Sequence, residues 1–453
     1  MNKTQQYIRH LIVLLIFLVI SEMSISADNL SEKTIHGYSA IVYIENDKVI
    51  TEDRYGKTII AGTAGIDDAK VIQSAIDLAV PTGHIIITRG KYYLNKSLLI
   101  YSNIKITGEG RGTIIVPPIE DYAFKIEKGK KEIFPRPYHE PRNPLYAVII
   151  RDLTINGELE NLPKSGKGLF LKNFWNSVFE NLWIENTGNA MSLIGIRESD
   201  FTSIYLINNG DEEKKESGIF IEEGNNLHFR GIHVVYQNYI GLEMLKGKLV
   251  FITQSFFHGW LKPHVPAKYP EIQIVDSNSD KHNEGRLKSD IVIENSRITV
   301  GGEGSSVVNI INSPVTIRQC IATTGVGTTV ISATKNARVN ISDNSFYSLL
   351  LLPSGKYVLY AEDSEVIFKN NVVSRQNLQV YLKSVRNSII ADNRFDALSE
   401  EPNIYIGDKD NRGSRSIQVK GNIFNKADLK DAIKIDPNSV KDILIYNNQK
   451  WSK

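Results

Sequence analysis

VFENLWIENTGNAMSLIGIRESDFTSIYLINNGDEEKKESGIFIE, residues 178–222, holds two rounds of one pattern. Each round has a short pair, an apolar-x-apolar triplet (Leu182-Trp183-Ile184, then Ile204-Tyr205-Leu206), a polar turn, and a second alternating triplet (Met191-Ser192-Leu193, then Ile219-Phe220-Ile221). Period-2 alternation sends every second side chain to one face of a strand, so each round is three short strands with an apolar inner side. Such a round cannot bury its inner side alone. It must stack on copies of itself, which makes the chain a solenoid.

Working outward, the residue that opens the triplet recurs as Leu153, Leu182, Ile204, Ile232, Ser255, Ser296, Cys320, Asn344, Asn371, Asn393, Asn422 and Asn448. The spacing is mostly about 22 to 29 residues, the range of stacked repeats, and the strand content selects a parallel β-helix over a helical solenoid. Asparagine tolerates the left-handed backbone of a sharp corner, and its amide can bond to the asparagine one coil away, so the later repeats predict an interior asparagine ladder. Cys320 falls in the same slot and reads as a small buried residue of that ladder. As the one cysteine in the chain, it has no disulfide partner.

The N-terminal region differs. Lys3 and Arg9 precede the apolar run Leu11–Ile20, followed by Ser24, Ser26 and Ala27, the pattern of a signal peptide over residues 1–26. The run is short of the roughly 20 residues that span a bilayer, so release without a membrane anchor, to a secreted or cell-surface location, is the expectation. Residues 27–62 read as a small antiparallel β element punctuated by Asn46-Asp47 and Tyr55-Gly56. The β-helix is assigned to residues 63–451. Near residues 67–79, Val71, Ile72, Ala75, Ile76 and Ala79 at helical spacing, with an Asp at the N-cap, predict an amphipathic helix that lids the open end of the stack.

The 453 residues carry 53 Lys and Arg against 51 Asp and Glu, so no concentrated basic footprint points to nucleic acid. The longest departures from the repeat are Pro118–Tyr146, Gly157–Ser165, Gly210–Ser217 and His258–Asp290. All are read as leaving from one edge of the cylinder, where shared insertions wall a binding face. On the strand before that edge, Trp183, Tyr205, His233 and Phe256 point outward in consecutive coils, a ladder of rings suited to sugar faces and equally able to stabilise the stack. On the strand after it, Glu222 and Glu243 sit one coil apart and diagonally offset, a geometry of roughly 6 to 9 Å that fits an acid and a base with a water between them. Asp211 on the neighbouring loop is a third carboxylate. β-Elimination would instead draw its base and its uronate-neutralising cation from Lys172, Arg230, His233 and Tyr236. Solvated surface charge is the plain alternative for each. No metal-ligand, nucleotide or nucleophile motif is present, so no cofactor is assigned; calcium stays open for a lyase with no motif to mark it.

The stretch Gly65–Thr113 resembles the N-terminal signature of the pectate lyase superfamily: Asp67-Asp68, Ile72-Gln73 and Ala75-Ile76, Gly90 before Tyr92, Ser102-Asn103, and Gly108-Glu109-Gly110 in that order. The resemblance is strong over about fifty residues. It implies an all-β, right-handed, single-stranded parallel β-helix that acts on acidic or complex polysaccharide, with Asp67 and Asp68 in the capping helix. Where related polygalacturonases carry paired Asp and a Gly-His-Gly element, this chain has Asn186-Thr187-Gly188-Asn189, and the calcium and arginine motifs of pectate lyases are not recognisable. The sequence therefore leaves three outcomes open: hydrolysis, elimination, or glycan or protein binding without chemistry by a cell-surface or virion-like module.

Overall fold

The computed structural model describes residues 37–451, apart from residues 102, 128–144, 158–165, 263–264, 267, 278–290, 301–305, 325–327, 349–356, 375–378, 397–400, 408–412, 427 and 437–439. The proposed signal peptide lies outside the described residues. Among the described residues no helix is long and apolar enough to cross a membrane.

Successive coils pair in parallel and in register around one apolar core. Each contributes a strand to face 1, for example Lys167–Lys172, then a longer strand such as Val178–Glu185 that bends midway to supply faces 2 and 3. Face 1 forms a sheet of its own, from Leu98–Ile100 to Ile433–Ile435. The alternation works as the sequence reading requires. Leu169, Met191, Ile219, Leu242 and Ile272 follow one another in register and are all buried. Aromatic rings stack inside too: Phe179, Phe201 and Phe229 lie 5.1 and 4.6 Å apart, and Phe346, Phe368, Phe395 and Phe424 repeat the device downstream.

The bend between faces 2 and 3 is a single left-handed residue, with φ of 51° at Asn181, 59° at Asp343, 56° at Asn370 and 55° at Asp392. The sequence reading gave one asparagine both the corner conformation and the ladder. The structure divides them between neighbours. Asp343, Asn370 and Asp392 take the left-handed turn, and the following Asn344, Asn371 and Asn393 point inward. Each ladder amide is saturated. Asn371 Oδ1 accepts from the backbone N and the side-chain N of Asn344, both at 3.0 Å, while its Nδ2 donates to Ile341 O at 2.9 Å and to Asn393 Oδ1 at 3.1 Å. The series runs on through Asn422 to Asn448. Cys320 opens it, taking a 2.8 Å bond from its own backbone N to Asn344 Oδ1; burial pushes its thiol up to about 11. Upstream, Ser255 and Ser296 serve the backbone with hydroxyls, and earlier still the slot is apolar.

At the N-terminal end the helix α1 (Asp68–Ala79) buries Ala69, Val71, Ile72, Ala75 and Ile76 against the first coil. Asp67 occupies the N-cap but makes no cap bond; its carboxylate instead accepts from Thr63 N at 2.8 Å. Asp68 is the stronger tie, accepting from Gly65 N and Tyr93 N at 2.9 and 2.7 Å. The antiparallel strands Ala40–Glu45, Lys48–Asp53 and Thr58–Thr63 are not detached, because Ala40–Val42 pairs in parallel with Ile85–Ile87 of the first coil.

One expectation needs correction. The insertions do not share an edge. Gly157–Ser165 and Gly210–Ser217 join face 3 to the next strand of face 1. The chain between Tyr122–Ile126 and Leu145–Tyr146 instead leaves the far end of face 1, and His258–Asp290 is two insertions, interrupted by the face 1 strand Ile272–Val275. The repeat count of the sequence missed that strand because Ile272–Val275 lies between two long polar stretches that break the repeat spacing on both sides. Insertions at both of its ends single out face 1 as the flanked surface.

Removing a ladder amide orphans the donors beneath it. Asn371→Ala is expected to lower stability by about 1–3 kcal/mol, the cost of leaving buried donors unpaired. The outward Asn340→Ala should stay within about 0.5 kcal/mol. Thermal unfolding of the two variants checks the contrast.

Candidate active site on face 1

Outward residues of face 1 form straight columns because the rungs are in register. One column runs Phe170, Ser192, Phe220, Glu243, Gln273 and Asn309. The adjacent column runs Lys172, Ile194, Glu222 and Leu245. Glu222 pairs with Leu245 and Glu243 with Phe220, so the two glutamates are diagonal neighbours on the same outward side, with Cα atoms about 8 Å apart from the rung spacing and strand rise.

Their surroundings differ. Glu243 is held at both oxygens, by Ser217 Oγ at 2.6 Å and Gln273 Nε2 at 3.2 Å, and Gln273 in turn accepts from Asn309. Glu222 stands at the end of its strand, half-buried between Ile194 and Leu245 in register. Tyr239 lies on the turn beside Glu243; burial, and then the charge of Glu243, raise its phenol, so it is a proton donor at neutral pH. Tyr122 closes the other end, packed on Phe170 at 5.3 Å, with its phenol pushed up to about 12 by burial.

The loops between faces 3 and 1 are tied together along this margin. Lys214 pairs with Glu120 at 2.7 Å, Lys268 and Tyr269 OH reach Glu212 at 3.0 and 2.9 Å, and Lys167 pairs with Glu216. Asp211 belongs to this frame: its Oδ1 accepts from the backbone N of Glu213 and Lys214 at 2.9 and 3.1 Å, which shapes the loop's own turn. Inside the same corner sits Glu271, 1% exposed, with Oε2 lacking a partner among the described residues. Burial pushes its carboxyl up to about 8. A Cβ on Gly259 would lie 2.2 Å from its Oε1, so glycine there makes room for the acid. Glu271 is too deep to touch a substrate.

The aromatic ladder is present on face 3, with Trp183 on Tyr205 at 4.2 Å and 8°, then Tyr205 to His233 at 4.7 Å and His233 to Phe256 at 6.0 Å. Arg111 covers Trp183 at 3.5 Å, and Arg297 lies 5.8 Å from Phe256. The ring faces are thus spent on one another and on the guanidinium groups, and solvent meets mainly edges. Burial lowers the pKa of His233. Outward directions on two sides of a closed coil diverge, so this ladder and the glutamate pair face different ways. Arg230 lies on a third surface, at the end of the face 2 strand Asn225–Arg230, in register with Thr202 and Thr253. Tyr236 takes a left-handed turn at the end of face 3 and packs edge-on to His258. Lys172 alone among the elimination candidates shares face 1 with the glutamates, two coils from Glu222 in the same column. Among the described residues no three His, Cys, Asp or Glu side chains gather in a way that could hold a metal ion.

Sequence reasoning overlooked Phe220, Ser217, Gln273 and Tyr239. The first two were quoted within the repeat itself, and the register that aligns Phe220 with Glu243 was the signal for them. Tyr239 and Gln273 lie in a turn and in the undetected strand, where the pattern carries little.

Residues 324–451 match the family model of the right handed beta helix region. The fold is a right-handed parallel β-helix. Among solved structures, the ORF18 protein of Geobacillus virus E2 aligns with a TM-score of 0.51 at 15% identity, covering 65% of this chain and 58% of that one. The surface adhesin PfbA of Streptococcus pneumoniae gives 0.49 at 12%, covering 85% and 90%. An alginate lyase of a Paenibacillus strain gives 0.46 at 13%, covering 65% and 96%. At 15% identity the first of these likenesses speaks to the fold alone. No curated protein matches the chain in sequence.

Glu271 sets a pH signature. Its folded-state pKa of about 8 stands above the ordinary 4.5, so its contribution favours folding below about pH 4.5 and is lost progressively as pH rises toward 8. Glu271→Gln is expected to raise the melting temperature at pH 8 and to flatten its decline between pH 5 and pH 8, checked by thermal melts across that range.

Proposed function

We propose that this β-helix binds a polysaccharide lengthwise on face 1 and hydrolyses it, with Glu222 and Glu243 as the working pair. The observation that carries the reading is the diagonal placement of these two acids on one outward surface beside Phe220, whose register neighbours Ser192 and Glu243 leave its ring unsandwiched by other rings. A separation near that of their Cα atoms suits inversion, where a water must fit between base and sugar. Glu243, oriented by Ser217 and Gln273, would hold that water. Glu222, at the strand end, would protonate the departing oxygen, and Phe220 and Tyr239 would bind the sugar between them. Asp211 acts in this reading through the loop it shapes. The ladder Trp183, Tyr205, His233 and Phe256, with Arg230, is assigned to a separate surface, and Lys172 to binding an acidic sugar further along face 1. The reaction as drawn needs no metal. An exported setting, secreted or at the cell surface, follows from the N-terminal sequence pattern and supports an extracellular glycan as partner.

A second reading, binding without cleavage, is favoured by one fact: both oxygens of Glu243 already accept hydrogen bonds within the protein. The two readings part in a digest of a broad polysaccharide panel followed by new reducing ends, with ultraviolet absorbance reporting unsaturated products of elimination. Hydrolysis predicts reducing ends without absorbance. Glu222→Gln and Glu243→Gln should each cut the rate by about a hundredfold or more with the melting temperature held. Full activity in both variants removes the pair, and glycan retention without products favours the binder.

A further inference from the structure

Further along the Glu243 column, face 1 carries a second cluster of polar rings. After Gln273, Asn309 and Ser332 the outward residues are Tyr360, Tyr381 and Tyr405. Tyr360 and Tyr381 stack at 5.6 Å and 9°, Tyr381 and Tyr405 at 4.7 Å and 8°, and Tyr357 packs on the first two. Lys434 lies 6.0 Å from the ring of Tyr405. In the adjacent column Glu362 accepts from Tyr360 OH at 2.7 Å and pairs with Lys383.

Stacking consumes the ring faces, so the surface shown to solvent is a row of edges and phenol oxygens at one per rung, about 4.8 Å. The chain makes its buried stacks from phenylalanine, as in Phe346, Phe368, Phe395 and Phe424, so stacking alone does not call for the hydroxyls. Tyr360 OH is fixed by Glu362, whose charge is balanced by Lys383. Tyr381 and Tyr405 make no hydrogen bond from their hydroxyls among the described residues. Between this row and Glu243 the column holds Gln273, Asn309 and Ser332, none of them a ring.

We propose that Tyr381 and Tyr405 form a remote holding subsite that hydrogen-bonds the hydroxyl groups of a non-reacting stretch of the same polysaccharide chain. It rests on the reading of face 1 as the glycan surface. Five rungs separate Glu243 from Tyr381, about 24 Å, so only a ligand long enough to bridge that span engages both places. Glu362 and Lys383 balance one another and Lys434 stands at the Tyr405 end, so the feature read by Tyr381 and Tyr405 themselves is the sugar hydroxyl, to which a phenol can donate and from which it can accept.

The test uses the full chain with size-fractionated alginate and cellulose oligomers as probes, one fraction shorter than the span and one longer, with affinity measured by calorimetry. Tyr381→Phe combined with Tyr405→Phe keeps the stack and removes the hydroxyls. The expected result is a dissociation constant for long oligomers about three- to tenfold weaker than wild type, unchanged affinity for short ones, and an unchanged melting temperature. Equal affinity of variant and wild type for long oligomers overturns the subsite and leaves the glycan surface standing. Equal loss for short and long oligomers overturns it too, since the hydroxyls would then act other than through reach. Wild-type protein that binds neither polymer removes both the subsite and the surface it rests on.

Discussion

The in-register parallel rung governs everything else in this molecule. Once one coil pairs with the next residue for residue, every position becomes a column, and a side chain meets the same kind of neighbour above and below. Inside, columns of Ile, Leu and Phe pack continuously. At the corner, the column of asparagines turns what would be a row of buried, unpaired amides into a chain of saturated hydrogen bonds. Outside, the same rule lines up carboxylate, amide and ring at fixed intervals. The candidate site is therefore not a pocket assembled from distant loops. It is what one surface of the stack happens to present.

The corner conformation shows how closely local and long-range terms are linked. A left-handed backbone at Asp343, Asn370 or Asp392 is unfavourable in isolation, and it is repeated at each bend. It is sustained because the bend drops the next residue into the ladder, where its hydrogen bonds and its neighbours in the core compensate. Short polar residues do this work in the later coils. Upstream, where Leu182 and Ile204 fill the inner slot, apolar packing takes over from the amides.

Periodicity was legible in the sequence because it is written in residue type: inward Leu and Ile, the asparagine series, the helix of Val71, Ile72, Ala75 and Ile76. The diagonal relation of Glu222 and Glu243 was also readable, since a column is fixed by counting along two aligned strands. What was not readable depends on length and direction. Alternation says that Trp183 and Glu243 both face outward, but not that their surfaces diverge around a closed coil. The strand Ile272–Val275 is as long as its neighbours on face 1 but is set between two insertions that displace it from the repeat spacing, so the edge from which each insertion departs was misjudged. The tyrosine row at Tyr360, Tyr381 and Tyr405 recurs at the repeat spacing, outside the coils that carry the four longest insertions. Glu271 had no signal at all, as nothing in its local sequence tells a buried acid from a solvated one.

The loops along the margin of face 1 differ in kind from the rungs they connect. Glu120 with Lys214, and Glu212 with Lys268, are exposed pairs that lash neighbouring loops to one another. Pairs of this sort weaken as dissolved ions crowd around them, while the apolar and amide columns beneath are almost indifferent to electrolyte. The lacing of this margin is therefore expected to answer to ionic strength, tight in dilute medium and slacker in brine, while the stacked rungs beneath keep their pairing.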